Sequence, residues 1–197
     1  MEKLVSSSIY FSQTGKENTP EVLEVAYRRA IELGIKSVIV ATTTGDSGAK
    51  AAVRFNGFNV VAVTHSTGFK APNDQQLTQE NRLIIEQAGG KILTTTHAFG
   101  GVNRAIRRKL DTYQVDEVIA YTLRIFGEGM KVTVETALMA SDAGLINVGE
   151  PVLCIAGTGS GADTVVIINP AHAQSFFDLR IVEIICMPSP AHPGFAG

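Results

Sequence analysis

Residues 39–64 read IVATTTGDSGAKAAVRFNGFNVVAVT, and the order of residue types in this stretch decides the fold. The run that leads into it, Ser37 to Ala41, is β-branched without polar alternation, as expected of a strand buried on both faces of a parallel sheet. A polar segment interrupts it, Thr42-Thr43-Thr44-Gly45-Asp46-Ser47-Gly48. Ala49 to Asn56 then reads as a helix and Asn59 to Thr64 as a second apolar strand. Strand, loop, helix and strand make a βαβ unit, whose two strands run parallel because the connection is a crossover.

Outward from this unit the alternation continues. Ser8 to Phe11 is a short candidate strand, and Thr19-Pro20 opens a helix with a capping residue followed by proline at the first helical position. That helix carries apolar residues from Val22 to Leu33 and stops at Gly34. Asn73 to Ala88 reads as a helix, Lys91 to Thr95 as a strand, and residues 102–111 and 130–143 as helices. Val115 to Phe126 fits helix and strand equally. Pro151 to Ala156 and Asp163 to Ile168 are β-type runs separated by Gly157-Thr158-Gly159-Ser160-Gly161, too short for a parallel crossover, so they are expected to pair antiparallel. Ile181 to Met187 adds the last strand. The expected fold is α/β, in three layers, with a mostly parallel sheet carrying an antiparallel edge strand. It forms a single domain over residues 1–187, followed by a flexible Pro/Gly-rich tail at 188–197.

Composition narrows the function classes. The chain has 197 residues, 45% of them apolar and 18% charged, with no run of about 18 apolar residues, so a globular protein without a membrane partner is expected. Lysine plus arginine (17) nearly balances aspartate plus glutamate (19), which leaves no broad positive field for nucleic acid. Met1 to Ser6 lacks the apolar core of a secretory signal, which points to the cytoplasm. Cys154 and Cys186 lie in apolar runs and read as buried reduced thiols, and no histidine or cysteine spacing fits a structural metal.

A loop between a buried parallel strand and a helix lies at the carboxyl edge of the sheet, where unpaired N–H groups and the positive end of the helix dipole face outward. Thr42, Thr43, Thr44 and Ser47 add hydroxyl donors there, while Gly45 and Gly48 let a ligand approach the backbone. This is phosphate chemistry, with a capped turn held by Thr44 or Asp46 as the plain alternative. A P-loop would need lysine directly after the last glycine, whereas Lys50 stands two residues beyond Gly48. Gly157-x-Gly159-x-x-Ala162 fits a dinucleotide fingerprint in form, but the residues after it read as a strand, not a helix.

Further candidates follow the other strands. His65-Ser66-Thr67-Gly68 comes after the Asn59 to Thr64 run and belongs at the same edge, as does the segment from His97 to Gly101. Phe126-Gly127-Glu128-Gly129-Met130-Lys131, with its glycine pair before a helix, is either a ligand edge or a flexible turn. Asn18 either faces the pocket or caps the first helix. Lys50 and Arg54 either reach a phosphate or stay solvated.

Residues 39–64 resemble the C-terminal α/β domain of pyruvate kinase, where a strand leads into Thr-x-Ser-Gly-Arg-Ser and a later strand ends in Val-Thr, at the same spacing. Gly157 to Thr164 is similar to that family's Pro-Gly-Ser-Gly loop. The resemblance implies that Thr42, Thr44, Gly45 and Ser47 hold a ligand phosphate and that Gly157 to Gly161 closes over it. Asp46 stands where the family has arginine, which exchanges a phosphate-pairing cation for a carboxylate and argues against a sugar bisphosphate. The kinase's catalytic barrel of about 250 residues is longer than this chain, so pyruvate kinase activity is not expected. The resemblance further implies a stand-alone, homo-oligomeric binding protein with flavin mononucleotide (FMN) as leading ligand. The ribityl chain would lie near Asp46 or Asn18 and the ring against Tyr10, Phe11, Phe69, Phe99 or Phe126. Two alternatives stay open: a regulatory or assembly module that binds a phosphorylated effector and a protein partner, and a small hydrolase or transferase using Ser47, His65 or His97.

Overall fold

The computed structural model describes residues 5–189. Seven strands form one sheet in the order β1-β7-β6-β5-β2-β3-β4. They are β1 (Ile9–Phe11), β2 (Ser37–Ala41), β3 (Asn59–Thr64), β4 (Lys91–Thr94), β5 (Val152–Ala156), β6 (Thr164–Asn169) and β7 (Arg180–Pro188). Among the described residues six α-helices lie in the connections, α1 (Thr19–Leu33), α2 (Asp46–Arg54), α3 (Gln79–Gln87), α4 (Val102–Leu110), α5 (Val115–Arg124) and α6 (Glu128–Asp142), with short 3-10 helices at Lys16–Asn18 and Ala173–Asp178.

Three layers follow from the period-two alternation of the central strands. Val38 and Val40 of β2, Leu153 and Ile155 of β5, and Val165 and Ile167 of β6 point into one core with α1, α2 and α3. Ile39, Val152, Cys154, Val166 and Ile168 point into a second core beneath α6. Because both faces are covered, the strands carry no polar alternation. Burial pushes both free thiols up, Cys186 to about 12.

The chain winds outward from β2 through β3 to β4 with its helices on one face, then returns to place β5 on the other side of β2, with α6 on the opposite face. Right-handed crossovers require this change of face when the direction of winding reverses. The reversal leaves a crevice at the carboxyl ends of β2 and β5.

The antiparallel strand expected at an edge is β6, and it lies inside the sheet. It pairs antiparallel with both β5 and β7, and β1 then adds parallel to β7. Other expectations shift at helix ends. The segment read as a helix from Asn73 to Ala88 is helical only from Gln79: Asn73 has φ 62°, Leu77 is buried, and the Thr78 hydroxyl accepts the Asn81 N–H at 3.2 Å to start α3. Val115 to Phe126 resolves as helix α5, opened by Glu117 reaching back to the Gln114 N–H at 3.1 Å. Of the segment expected as a tail, Pro188 ends β7 and the Ser189 N–H donates to Phe11 O at 2.8 Å, while residues 190–197 lie outside the described residues. No helix among the described residues is long and apolar enough to cross a membrane.

Helix α6 meets β6 with no room to spare. A methyl group on Gly129 would collide with the Thr164 side chain. Gly129→Ala is expected to destabilise the fold by about 1–3 kcal/mol through overpacking. The urea midpoint would fall with an unchanged m-value, and an unmoved midpoint would contradict this contact.

Candidate functional site

Helix α2 opens at Asp46, three residues earlier than its apolar pattern suggests, and this fixes the geometry of the 42–48 loop. Gly45 takes the N-cap position with φ 98°, a conformation that favours glycine. A side chain there would also come within 2.5 Å of Asn81 Cβ and Leu77 Cδ1. The loop is tied down from both sides. Thr42 N–H donates to Val63 O, Thr78 N–H and Asn81 Nδ2 donate to Thr44 O, and Gly48 N–H donates to Thr42 Oγ1. Gly48 and Ala49 thus have acceptors, and the Asp46 and Ser47 N–H groups have none among the described residues.

Opposite stands the Gly157–Gly161 loop, anchored by Asp163. This carboxylate is fully buried; Oδ2 accepts from the Gly15 and Thr158 N–H groups at 2.9 Å each and Oδ1 from the Thr164 hydroxyl at 2.7 Å. The Ala162 N–H donates to Thr19 Oγ1 at 2.9 Å, and Gly161 (φ 75°) lies too close to Lys16 and Thr19 to accept a side chain.

Between the two loops lies a cavity of about 740 Å³. Thr42, Thr43, Thr44, Asp46 and Ser47 line it on one side, Gly157, Gly159, Ser160 and Gly161 on the other, and His65, Phe69 and His97 at the ends of β3 and β4. The remaining expected residues are not part of this lining. Gly45 and Gly48 serve the turn and the packing under α2. Ser66 donates its N–H to His97 Nε2, Thr67 accepts from Gln75 Nε2, and the Gly68 N–H donates to Asp74 O. Thr158 bonds Asp163, and the buried Asn18 side chain donates to Gln13 O. Phe126 is exposed, and Gly127 precedes α6 with φ 117°. Among the aromatic residues named for a flat ring, Phe69 alone lines the cavity: Phe11 and Phe99 are buried and Tyr10 is exposed.

Asp46 does not cap α2. It sits in the first turn and pairs with Lys50 Nζ at 2.7 Å, which compensates its charge beside the loop. Arg54 bonds Glu24 at 2.9 Å and stacks on Tyr27 at 3.3 Å, away from the cavity. The cations that do line the cavity are Lys16, Arg104, Arg124 and Lys131. Among the described residues Lys16 and Arg104 have no carboxylate within 4.0 Å; Arg124 pairs with Glu128 at 2.5 Å.

The far wall is a buried polar network on α6. Lys131 Nζ lies 2.5 Å from Glu135 Oε2, with both side chains almost wholly buried, and the Phe99 N–H donates to Glu135 Oε1 at 3.0 Å. His97 Nε2 accepts the Ser66 N–H at 3.3 Å, so the ring proton resides on Nδ1, which faces Glu135 Oε2 at 4.0 Å. Burial, only partly offset by Glu135, lowers the His97 pKa to about 4, with His65, Lys131 and Arg104 adding to the depression. Phe69 stacks on His97 at 4.9 Å, and the Arg104 guanidinium lies 5.0 Å from the Phe69 ring centre. His65 Nδ1 meets Gln76 Oε1 at 3.0 Å. Sequence reasoning missed the Lys131–Glu135 pair, although two opposite charges four residues apart, with no other charge between Gly129 and Ser141, were a visible signal. Nothing in the sequence marks Arg104.

The molecule is therefore a doubly wound α/β domain with a polar cavity at the point where its winding reverses. It belongs to the family described as pyruvate kinase, alpha/beta domain, whose model matches residues 20–168, more than half of the chain. A solved pyruvate kinase from Cryptosporidium parvum is 13% identical with a TM-score of 0.33, covering 69% of this chain and 20% of that one. A second, also from Cryptosporidium parvum, is 14% identical with a TM-score of 0.37, covering 76% and 22%. This chain thus spans about a fifth of the length of either kinase.

Two outcomes are expected of the α6 network. Lys131→Met strands the Glu135 charge in the interior and is expected to cost about 3–5 kcal/mol, most of it recovered in Lys131→Met/Glu135→Gln, which removes the charge and keeps an acceptor for the Phe99 N–H; urea unfolding of both variants checks this. The low His97 pKa means that between about pH 6.5 and pH 4 the unfolded chain binds a proton that the fold does not. His97 therefore contributes stability above pH 6.5 that is lost as the pH falls toward 4. His97→Gln is expected to flatten the stability profile in that window, measured by urea midpoints at successive pH values.

Proposed function

We propose that this domain binds a phosphorylated small molecule in the 740 Å³ cavity, with the phosphate on the N-terminus of α2 between Thr42 and Ser47 and the Gly157–Gly161 loop closing over it. The observation that carries this reading is convergence. Two loops separated by more than a hundred residues, one rich in hydroxyls and one in glycine, bound the same cavity at the carboxyl edge of the sheet, where α/β folds hold their ligands. The unpaired Asp46 and Ser47 N–H groups supply donors for an anion. The Asp46 carboxylate does not bar a dianion, because Lys50 compensates it.

FMN is the leading ligand. The volume is in the range of mononucleotide-sized pockets, and a flat ring has Phe69 as its apolar contact. Its ribityl hydroxyls would lie beside Asp46; Asn18, buried on Gln13 O, takes no part.

Mass spectrometry of the compound released on denaturing untagged protein is expected to detect one phosphorylated species, and a flavin spectrum would identify it as FMN. Thr44→Asp, at an exposed position of the loop, adds a negative charge that suits the helix dipole and keeps the fold, yet is expected to weaken retention at least about tenfold, or 1.4 kcal/mol. Protein that releases no phosphorylated compound, and whose melting temperature is unmoved by FMN or inorganic phosphate, would overturn the proposal.

A further inference from the structure

Among the described residues two cations line the cavity without a carboxylate partner, and they stand at different ends of it. Lys16 packs against Gly161 in the loop after β5, while Arg104 stands on α4, after β4. Strands β5, β2, β3 and β4 lie side by side in that order, so three strand spacings, about 14 Å, separate the two ends. A phosphate at the start of α2 sits after β2, beside the Lys16 end, and leaves Arg104 unmatched. The Arg104 guanidinium lies against the Phe69 ring and next to Gly100, and none of its N–H groups has an acceptor among the described residues. It also occupies the first turn of α4, where the helix dipole disfavours a cation and no acidic residue compensates it. Lys131 joins it at this end, since the charges of both act on His97. The Lys131 side chain is 6% exposed; its ammonium donates to Glu135 and has no other acceptor among the described residues.

We infer that Arg104 and Lys131 form a second anion subsite in the same cavity, which takes the carboxylate of a small substrate bound beside the phosphorylated ligand. The charge balance selects a carboxylate. Lys131 and Glu135 compensate each other and His97 is neutral, so this end has one net positive charge and suits a monoanion. A guanidinium fork matches the two oxygens of a carboxylate, with the buried ammonium as a further donor. Hydroxyl donors are not free here: Thr64 is engaged with Thr94 and the His65 carbonyl, and Thr136 with the Thr133 carbonyl. At the other end the hydroxyls of Thr43, Thr44 and Ser47 have no partner among the described residues, so the donors that suit a phosphate are gathered there. A carboxylate on Arg104 would stand next to the flat ring proposed for Phe69, the position of a substrate. The inference rests on the phosphate reading in one respect, that the phosphate occupies the start of α2 and leaves Arg104 to a second molecule.

Isotopically labelled protein titrated with benzoate at constant ionic strength, with and without inorganic phosphate, tests this. Saturable amide shifts are expected at Phe69 and from His97 to Arg104, unchanged by phosphate, while benzamide, of the same shape without the charge, is expected to give none. Arg104→Gln is expected to weaken benzoate at least tenfold with an unchanged urea midpoint and an unchanged phosphate titration. Arg108→Gln, at an exposed position of the same helix, is expected to leave both titrations as they are. No saturable benzoate shift, shifts that benzamide reproduces, displacement of benzoate by phosphate, or equal losses in Arg104→Gln and Arg108→Gln would each overturn the inference. Benzoate shifts at Arg104 with no phosphate shift at the start of α2 would overturn the phosphate reading and leave this subsite standing.

Discussion

The handedness of strand crossovers is the constraint from which the rest of this structure follows. Because β2-α2-β3-α3-β4 winds one way with its helices on one face, and the return to β5 puts α6 on the other, the loops after β2 and β5 diverge and leave a crevice between them. The position of the cavity is thus a property of chain topology. Its chemistry is what the loops and α6 add: N–H groups and hydroxyls at the start of α2, a glycine loop opposite, and a buried charge pair behind.

Holding those parts in place takes charge inside the protein. Asp163 replaces its lost hydration with two backbone N–H groups and a hydroxyl, and in doing so fixes the Gly157–Gly161 loop to the turn at Gly15. Glu135 plays the same part on the other face, gathering Lys131, the Phe99 backbone and His97 around one carboxylate. A buried ion pair contributes little net stability compared with apolar residues of the same shape. The gain from Lys131 and Glu135 is a wall that presents a fixed ammonium to the cavity, next to a histidine that burial keeps neutral.

Much of the fold was legible in the sequence because the central strands are buried on both faces, and uninterrupted runs such as Val60 to Val63 have few other readings. The β5–β6 hairpin was legible from loop length alone. Helix α5 was not, because Val115, Val118 and Ile125 on its outer face mix with Ile119, Ala120 and Leu123 on its inner one and hide any single-face period. The start of α2 was misjudged because the loop's polar residues continue into its first turn. At the site, the two loops were readable as motifs, and Asp46 as a departure from the family pattern, but its Lys50 partner was not assigned. Arg104 was invisible, since chain order does not say that it reaches the Phe69 ring at the edge of the cavity.

The central claim is that the crevice between the 42–48 and 157–161 loops is an anion site built on the start of α2. Titrating isotopically labelled protein with inorganic phosphate while following backbone amide resonances tests it directly. The account predicts saturable shifts that are largest at Asp46, Ser47 and Gly48, with smaller ones from Gly157 to Gly161. Shifts confined to the basic exterior of α4 at Arg108 and Lys109, or no saturable shift at the start of α2, would contradict it.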